Sequence, residues 1–125
     1  MVSLIDTNII IRFLVADNEE QFKNGKDIFF EIEKSQKTVI ILDVVFMEAF
    51  FVLTKLYQLP KSEVLNDLKS ILALDGVVNS DKVILNEVFN LIENKNIDFV
   101  DALLCAKSKL QGFEKISFDK DLKKC

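Results

Sequence analysis

The chain alternates short apolar runs with longer stretches in which apolar residues recur every three or four positions. That alternation of period two or less with period 3.6 separates strands from helices. Val2–Ile5, ending at Asp6, reads as a buried strand, and Asn8–Val15 follows without a breaker as a helix. Asn18, with Glu19 and Glu20 behind it, has the form of an N-cap with acids in the first turn. The helix it starts runs to about Lys34 and buries Phe22, Phe29 and Ile32. Thr38–Leu42 is β-branched and apolar, and predicts a second buried strand. An apolar helix then extends from Asp43 to about Gln58, where Leu59-Pro60 breaks it.

The second half continues the pattern. Ser62 is expected to cap a helix through about Leu72, and Gly76-Val77-Val78 forms a short third strand. Ser80 is expected to cap a helix to about Asn94, and Asp98 another to about Gln111, closed by Gly112. Lys115–Phe118 is a fourth strand, followed by a fragment of helix from Asp119. Short apolar strands between helices predict one α/β domain over residues 1–125, with a parallel sheet covered on both faces. In such sheets ligands bind beyond the carboxyl ends of the strands.

Composition narrows the chemistry. The chain has 125 residues, half of them hydrophobic, and contains no histidine. That excludes an imidazole general base and a His-ligated zinc. Twenty acids against sixteen bases give a net charge of −4, which argues against binding nucleic acid by bulk positive charge. The two cysteines, Cys105 and Cys125, form no CxxC. Cys105 reads as a small core residue and Cys125 as exposed, so a reducing, cytoplasmic setting is expected. No run reaches the ~20 apolar residues of a membrane helix.

The acids fall at informative places. Asp6 and Asp119 each end a strand, and Glu48 is the only charge between Val44 and Thr54. A helix apolar on nearly every side should be buried, so Glu48 faces either an internal cleft or a narrow exposed stripe. Asp98 and Asp101, three apart, share one face at a helix start. For each acid the plainer alternative is a helix cap, a dipole partner or a surface charge. Gathered together, they would form an all-oxygen site suited to Mg²⁺ or Mn²⁺.

Four blocks, in order, resemble the PIN domain family, and more narrowly its VapC-type toxins of VapBC toxin–antitoxin pairs. They are Leu4-Ile5-Asp6-Thr7-Asn8 through Leu14 with Asp17 to Gln21, Glu48 in its apolar helix, Asp98-Phe99-Val100-Asp101-Ala102-Leu103, and Ser117-Phe118-Asp119-Lys120-Asp121-Leu122. The resemblance implies a three-layer α/β/α fold with a short central parallel sheet of four to five strands. It implies a metal-dependent endoribonuclease that cleaves RNA, forms a homodimer and is covered by an antitoxin. Its metal-binding, catalytic acids fall on Asp6, Glu48, Asp101 and Asp119, with Mg²⁺ or Mn²⁺ as cofactor. Asn8 would stand beside the first acid, and Thr7 and Ser117 would orient acids or water. Asp98 and Asp121 would support the metal-binding acids from behind, and Arg12, the only arginine, would reach a phosphate or pair with an acid. The family pattern continues past the Asp119 block into another short strand, so an edge strand is expected to be absent here or cut off.

Lys107, Lys109, Lys120, Lys123 and Lys124 are candidate attractants for the RNA backbone, or plain solvated lysines. Two other readings remain open. Asp6 could accept a phosphoryl group, as in receiver or phosphatase-like proteins, although Asn8 stands where such a phosphatase needs a second acid. Alternatively the acids only cap helices, and the Phe46, Phe50, Phe51 cluster serves a non-catalytic interaction module.

Overall fold

The computed structural model describes residues 1–118 and 125. It divides into two compact units, Met1–Ser80 and Asp81–Cys125.

In the first unit, β1 (Ser3–Leu4) pairs in parallel with β2 (Val39–Ile40). The Ser3 N–H donates to the Thr38 carbonyl at 3.0 Å, and the Ile5 N–H to the Ile40 carbonyl at 3.2 Å. On the far side of β2, Val39 bridges Val77, also in parallel. The Val39 N–H donates to the Gly76 carbonyl at 2.8 Å, and the Val78 N–H to the Val39 carbonyl at 2.9 Å. β2 is therefore bonded on both edges, to β1 through the Thr38 and Ile40 carbonyls and to the Gly76–Val78 segment through Val39, and Val39 is fully buried, as a β-branched residue at the middle of a small sheet should be. Gly76 is required by closeness: a Cβ there would collide with the backbone carbonyls of Ile32 and Lys37.

β1 is exposed, with Leu4 68% exposed, so the expectation of a buried first strand in a sheet covered on both faces is corrected; the helices of this unit pack chiefly on one another. α1 (Thr7–Leu14) and α2 (Glu19–Glu33) pack together, with the Phe13 and Phe29 rings stacked at 4.4 Å. The Asn18 side chain accepts from the Gln21 N–H at 3.0 Å, so the predicted cap is present. α3 (Asp43–Phe51) packs on α1 and widens at its end into a π-helical turn, Val52–Leu56. α4 (Lys61–Leu72) turns Val64, Leu65, Leu68, Ile71 and Leu72 inward at helical spacing. The Tyr57 hydroxyl donates to the Asp17 carboxylate at 3.0 Å, tying the end of the π-helical turn to the loop after α1.

The second unit is a helical hairpin. α5 (Lys82–Lys95) and α6 (Phe99–Gln111) pack on each other, joined by Asn96–Asp98 with Asn96 in the left-handed region. Phe89 and Phe99 meet edge to face at 6.2 Å. Gly112 ends α6 with φ +74°, as predicted. Cys105, 1% exposed, is joined in a disulfide to Cys125, their Cα atoms 5.7 Å apart.

Several expectations are corrected. The sheet holds two paired strands and one bridge among the described residues, not four to five strands, and helices dominate. Gly76-Val77-Val78 contributes only the Val77 bridge. Lys115–Phe118 is not a strand: Ile116 and Phe118 are fully exposed, and no ladder partner among the described residues holds the segment. A strand is defined by its neighbour, and apolar composition alone does not supply one. Helices begin at Lys61 behind Pro60 and at Lys82 behind Asp81, so neither Ser62 nor Ser80 is the cap. The cysteines are paired rather than free. The helix fragment expected from Asp119 lies outside the described residues.

Candidate active site

Asp6 follows β1 at its carboxyl end and occupies the cap position of α1 with extended backbone, φ −82° and ψ 150°. Its carbonyl accepts from the Ile9 N–H at 3.1 Å, but its side chain makes no capping hydrogen bond. The plainer role offered for this acid is thus not the one it plays. The carboxylate is exposed, at the sheet end where parallel folds bind ligands. Of the next two residues, Thr7 is buried and Asn8 is exposed. Arg12 lies half-buried in the last turn of α1, where a cation suits the helix dipole.

Glu48 is exposed on α3. The expectation that an apolar helix is buried all round is corrected here. Phe46, Ala49 and Leu53 turn inward, while Val44 and Phe51 are more than half exposed, on the same stripe as Glu48. Glu48 therefore keeps its hydration within an apolar surface rather than burying its charge in a cleft.

A residue the sequence reading missed sets the start of α3. The Asn79 side-chain amide donates to the Ile41 carbonyl at 2.6 Å, and its oxygen accepts from the Ile41 N–H at 2.9 Å. One side chain thereby continues the ladder past β2 and holds the backbone just before α3. The only sequence signal was a polar residue directly after two valines.

In the second unit, Asp98 and Asp101 divide their roles. The Asp98 carboxylate caps α6 by accepting from the Asp101 N–H at 2.8 Å. Asp101 is buried at 9% exposure in the first turn, among the positive ends of the helical peptides. Ser117 is exposed in the segment after Gly112. Lys109 is committed in part to Glu87, 3.7 Å away, whereas Lys107 is exposed. Asp119, Lys120, Asp121, Lys123 and Lys124 lie outside the described residues.

Within the first unit the fold brings Asp6, Thr7 and Asn8 to one sheet end and packs their helix against the one bearing Glu48. Within the second it joins Asp98 to Asp101. Among the described residues, no three His, Cys, Asp or Glu side chains are grouped to hold a metal ion. The donor chemistry nevertheless fits a hard divalent cation, since every candidate ligand is a carboxylate oxygen.

Among the described residues, no helix is long and apolar enough to cross a membrane. The PIN domain family model matches residues 3–125 of the chain. No match was found among curated proteins.

Proposed function

Since the chain belongs to the PIN domain family, a family of nucleases, we propose that it is a metal-dependent endoribonuclease, the toxin of a toxin–antitoxin pair. The family match across residues 3–125 carries this reading. The uncommitted carboxylate of Asp6 at a strand end supports it.

In this reading Asp6, Glu48, Asp101 and Asp119 hold Mg²⁺ or Mn²⁺. The cation, when bound, supplies Lewis-acid chemistry to the scissile phosphodiester of RNA. The chain's own groups bind and orient. Asp98 fixes the backbone at Asp101 through its cap bond. Asn8 offers an amide next to Asp6, Thr7 and Ser117 offer hydroxyls, and Asp121 backs the acids. Arg12 and Lys107 meet RNA phosphates, against an overall charge that is negative. The absence of histidine is consistent with a reaction that needs no side-chain base. The apolar stripe of Val44 and Phe51 around Glu48 offers a surface for a second copy or for the antitoxin. Its place of action is the cytoplasm, with its RNA substrate.

The test is RNA cleavage by the wild type and by Asp6→Asn, with Mg²⁺ or Mn²⁺ and with EDTA. Metal-dependent cleavage lost in Asp6→Asn is expected. Cleavage that survives both EDTA and the substitution would overturn the metal mechanism. Saturable Mn²⁺ binding separates it from a non-catalytic interaction module, and labelling of Asp6 by acetyl phosphate would revive the phosphoaspartyl alternative.

A further inference from the structure

The second unit carries a cavity that the nuclease reading does not use. Gly112, with φ +74°, ends α6, and the residues from Phe113 to Ile116 then line a cavity of about 250 Å³ together with Leu104, Lys107 and Ser108 of the helix. That volume lies just below the pockets that take drug-sized ligands, so it suits one flat ring system. Its apolar lining comes from Leu104, Phe113 and Ile116, and Phe113 is 62% exposed, which leaves its ring accessible to a stacking partner. The charge here departs from that of the chain. Lys107 and Lys115 stand against one acid, Glu114, whereas the whole chain carries −4. The Lys115 ammonium also lies 3.3 Å from the Cys125 sulfur, so the exposed Lys107 is the principal cation. Leu104 and Ser108 follow Asp101 by three and seven residues and continue its face of α6 toward the cavity. Ser108 stands about 10 Å from Asp101 along the helix axis.

We propose that this cavity is a nucleotide subsite for single-stranded RNA, in which one base stacks on Phe113 beside Leu104 and Ile116 and Lys107 meets the neighbouring phosphate. An aromatic ring next to a cation is the combination that holds single strands, because every base has a face to stack and every nucleotide a charge to pair. Inorganic phosphate alone would use the lysines and leave the ring idle. A purely apolar side chain would use the ring and leave the lysines idle. The Ser108 hydroxyl adds a donor for a phosphate oxygen or a sugar hydroxyl. Glu114 opposes a phosphate, so its charge weakens the site. A duplex is a poor occupant, since its bases are already stacked on one another. The choice of RNA rests on the nuclease reading above. Under that reading a strand anchored at the end of α6 is held near the acids at the start of the same helix, which raises its local concentration there.

Binding is measured on the full chain in EDTA, by the fluorescence anisotropy of a short labelled single-stranded RNA of mixed sequence and by competition with inorganic polyphosphate. Phe113→Ala should weaken RNA binding about tenfold, the scale of one lost stacking contact, and leave polyphosphate affinity unchanged. Phe113→Tyr should keep both. Lys107→Ala should weaken both ligands and lower the salt slope for RNA by about 0.7, the share of one phosphate on a single strand. Glu114→Gln should tighten both. Phe113 and Lys107 are exposed, so the variants should melt with the wild type, which circular dichroism checks. A wild type that binds no RNA, a Phe113→Ala that binds it equally well, or equal losses for RNA and polyphosphate in Phe113→Ala would overturn the subsite. So would a concentration-dependent dimer dispersed by Phe113→Ala with RNA binding untouched, which would give the surface to a second copy. The two readings fail separately. Stacking-dependent RNA binding without cleavage in Mg²⁺ or Mn²⁺ removes the nuclease and keeps the subsite. Metal-dependent cleavage with Phe113→Ala binding like wild type removes the subsite and keeps the nuclease.

Discussion

The Asp98 carboxylate accepts a hydrogen bond from the backbone N–H of Asp101, 2.8 Å away. One acid is spent on holding the peptide of the other. Asp98→Ala should therefore cost about 1 kcal/mol of stability, a typical N-cap loss, whereas Asp98→Ser or Asp98→Asn should recover most of it. Thermal melts of the three variants check this. If Asp101 is a metal ligand, Asp98→Ala should also weaken Mn²⁺ binding by about 10-fold, in the range seen when a ligand loses its support.

Asp6 has the opposite profile. Its side chain makes no cap bond and is exposed. Asp6→Asn should leave stability within about 0.5 kcal/mol of wild type, as for an ordinary surface change. Under the proposed function the same substitution should lower RNA cleavage by at least about 100-fold. Paired melting and cleavage measurements separate the two effects, and a destabilised, active variant would contradict both.

The Tyr57 phenol is held above its ordinary pKa, first by the hydrogen bond to Asp17, then by partial desolvation and by the Asp17 charge. The folded state thus favours the neutral phenol. Its contribution is fully present below the unfolded value of about 10 and is lost as pH climbs through the raised folded value. Stability measured from pH 8 upward should fall more steeply for wild type than for Tyr57→Phe, which lacks the titrating group.

Burial, and then the charge of Glu63 one turn away, raise the Asp67 pKa on α4. A carboxyl raised in the fold favours its neutral form there, so its contribution is present below the unfolded value and lost as pH rises through the folded one. At neutral pH the ionised group works against α4. Asp67→Asn should stabilise the protein at pH 7 by about 0.2–0.5 kcal/mol, the scale of a like-charge pair one turn apart. The gain should vanish near pH 3, and denaturant unfolding at the two pH values measures it.

Gly76→Ala should destabilise by about 1–3 kcal/mol, because the added methyl meets backbone carbonyls rather than a side chain that can swing away. Loss of the Val39–Val77 bridge, read as faster amide exchange at Val39 and Val78, would localise the damage.

Legibility followed the locality of the forces. α2 was readable because its cap, first-turn acids and buried Phe29 and Ile32 all lie within the helix or directly before it. Gly112 was readable for the same reason. The segment Val44–Leu56 was not, because an apolar residue at almost every position has no period from which to read a face or a π-helical turn. Sheet membership was harder still. Lys115–Phe118 has the composition of a strand, yet pairing depends on a partner far away in sequence. The candidate acids show the same limit. Asp6 and Asp98 both precede helices, and only the backbone and rotamer around each decide that Asp98 caps and Asp6 does not. The disulfide joins residues 20 apart in sequence, a pairing that spacing alone does not reveal.

The Asn79–Ile41 pair carries a consequence of another kind. The amide presents an acceptor and a donor side by side, matched to the backbone N–H and C=O of one residue, Ile41. Aspartate, the same size, would set a second acceptor against the Ile41 carbonyl, and leucine would leave both peptide groups without their partner. The sheet end before α3 is therefore keyed to hydrogen-bond polarity rather than to volume or hydrophobicity. A substitution matrix that ranks asparagine and aspartate as near equivalents would misjudge this position.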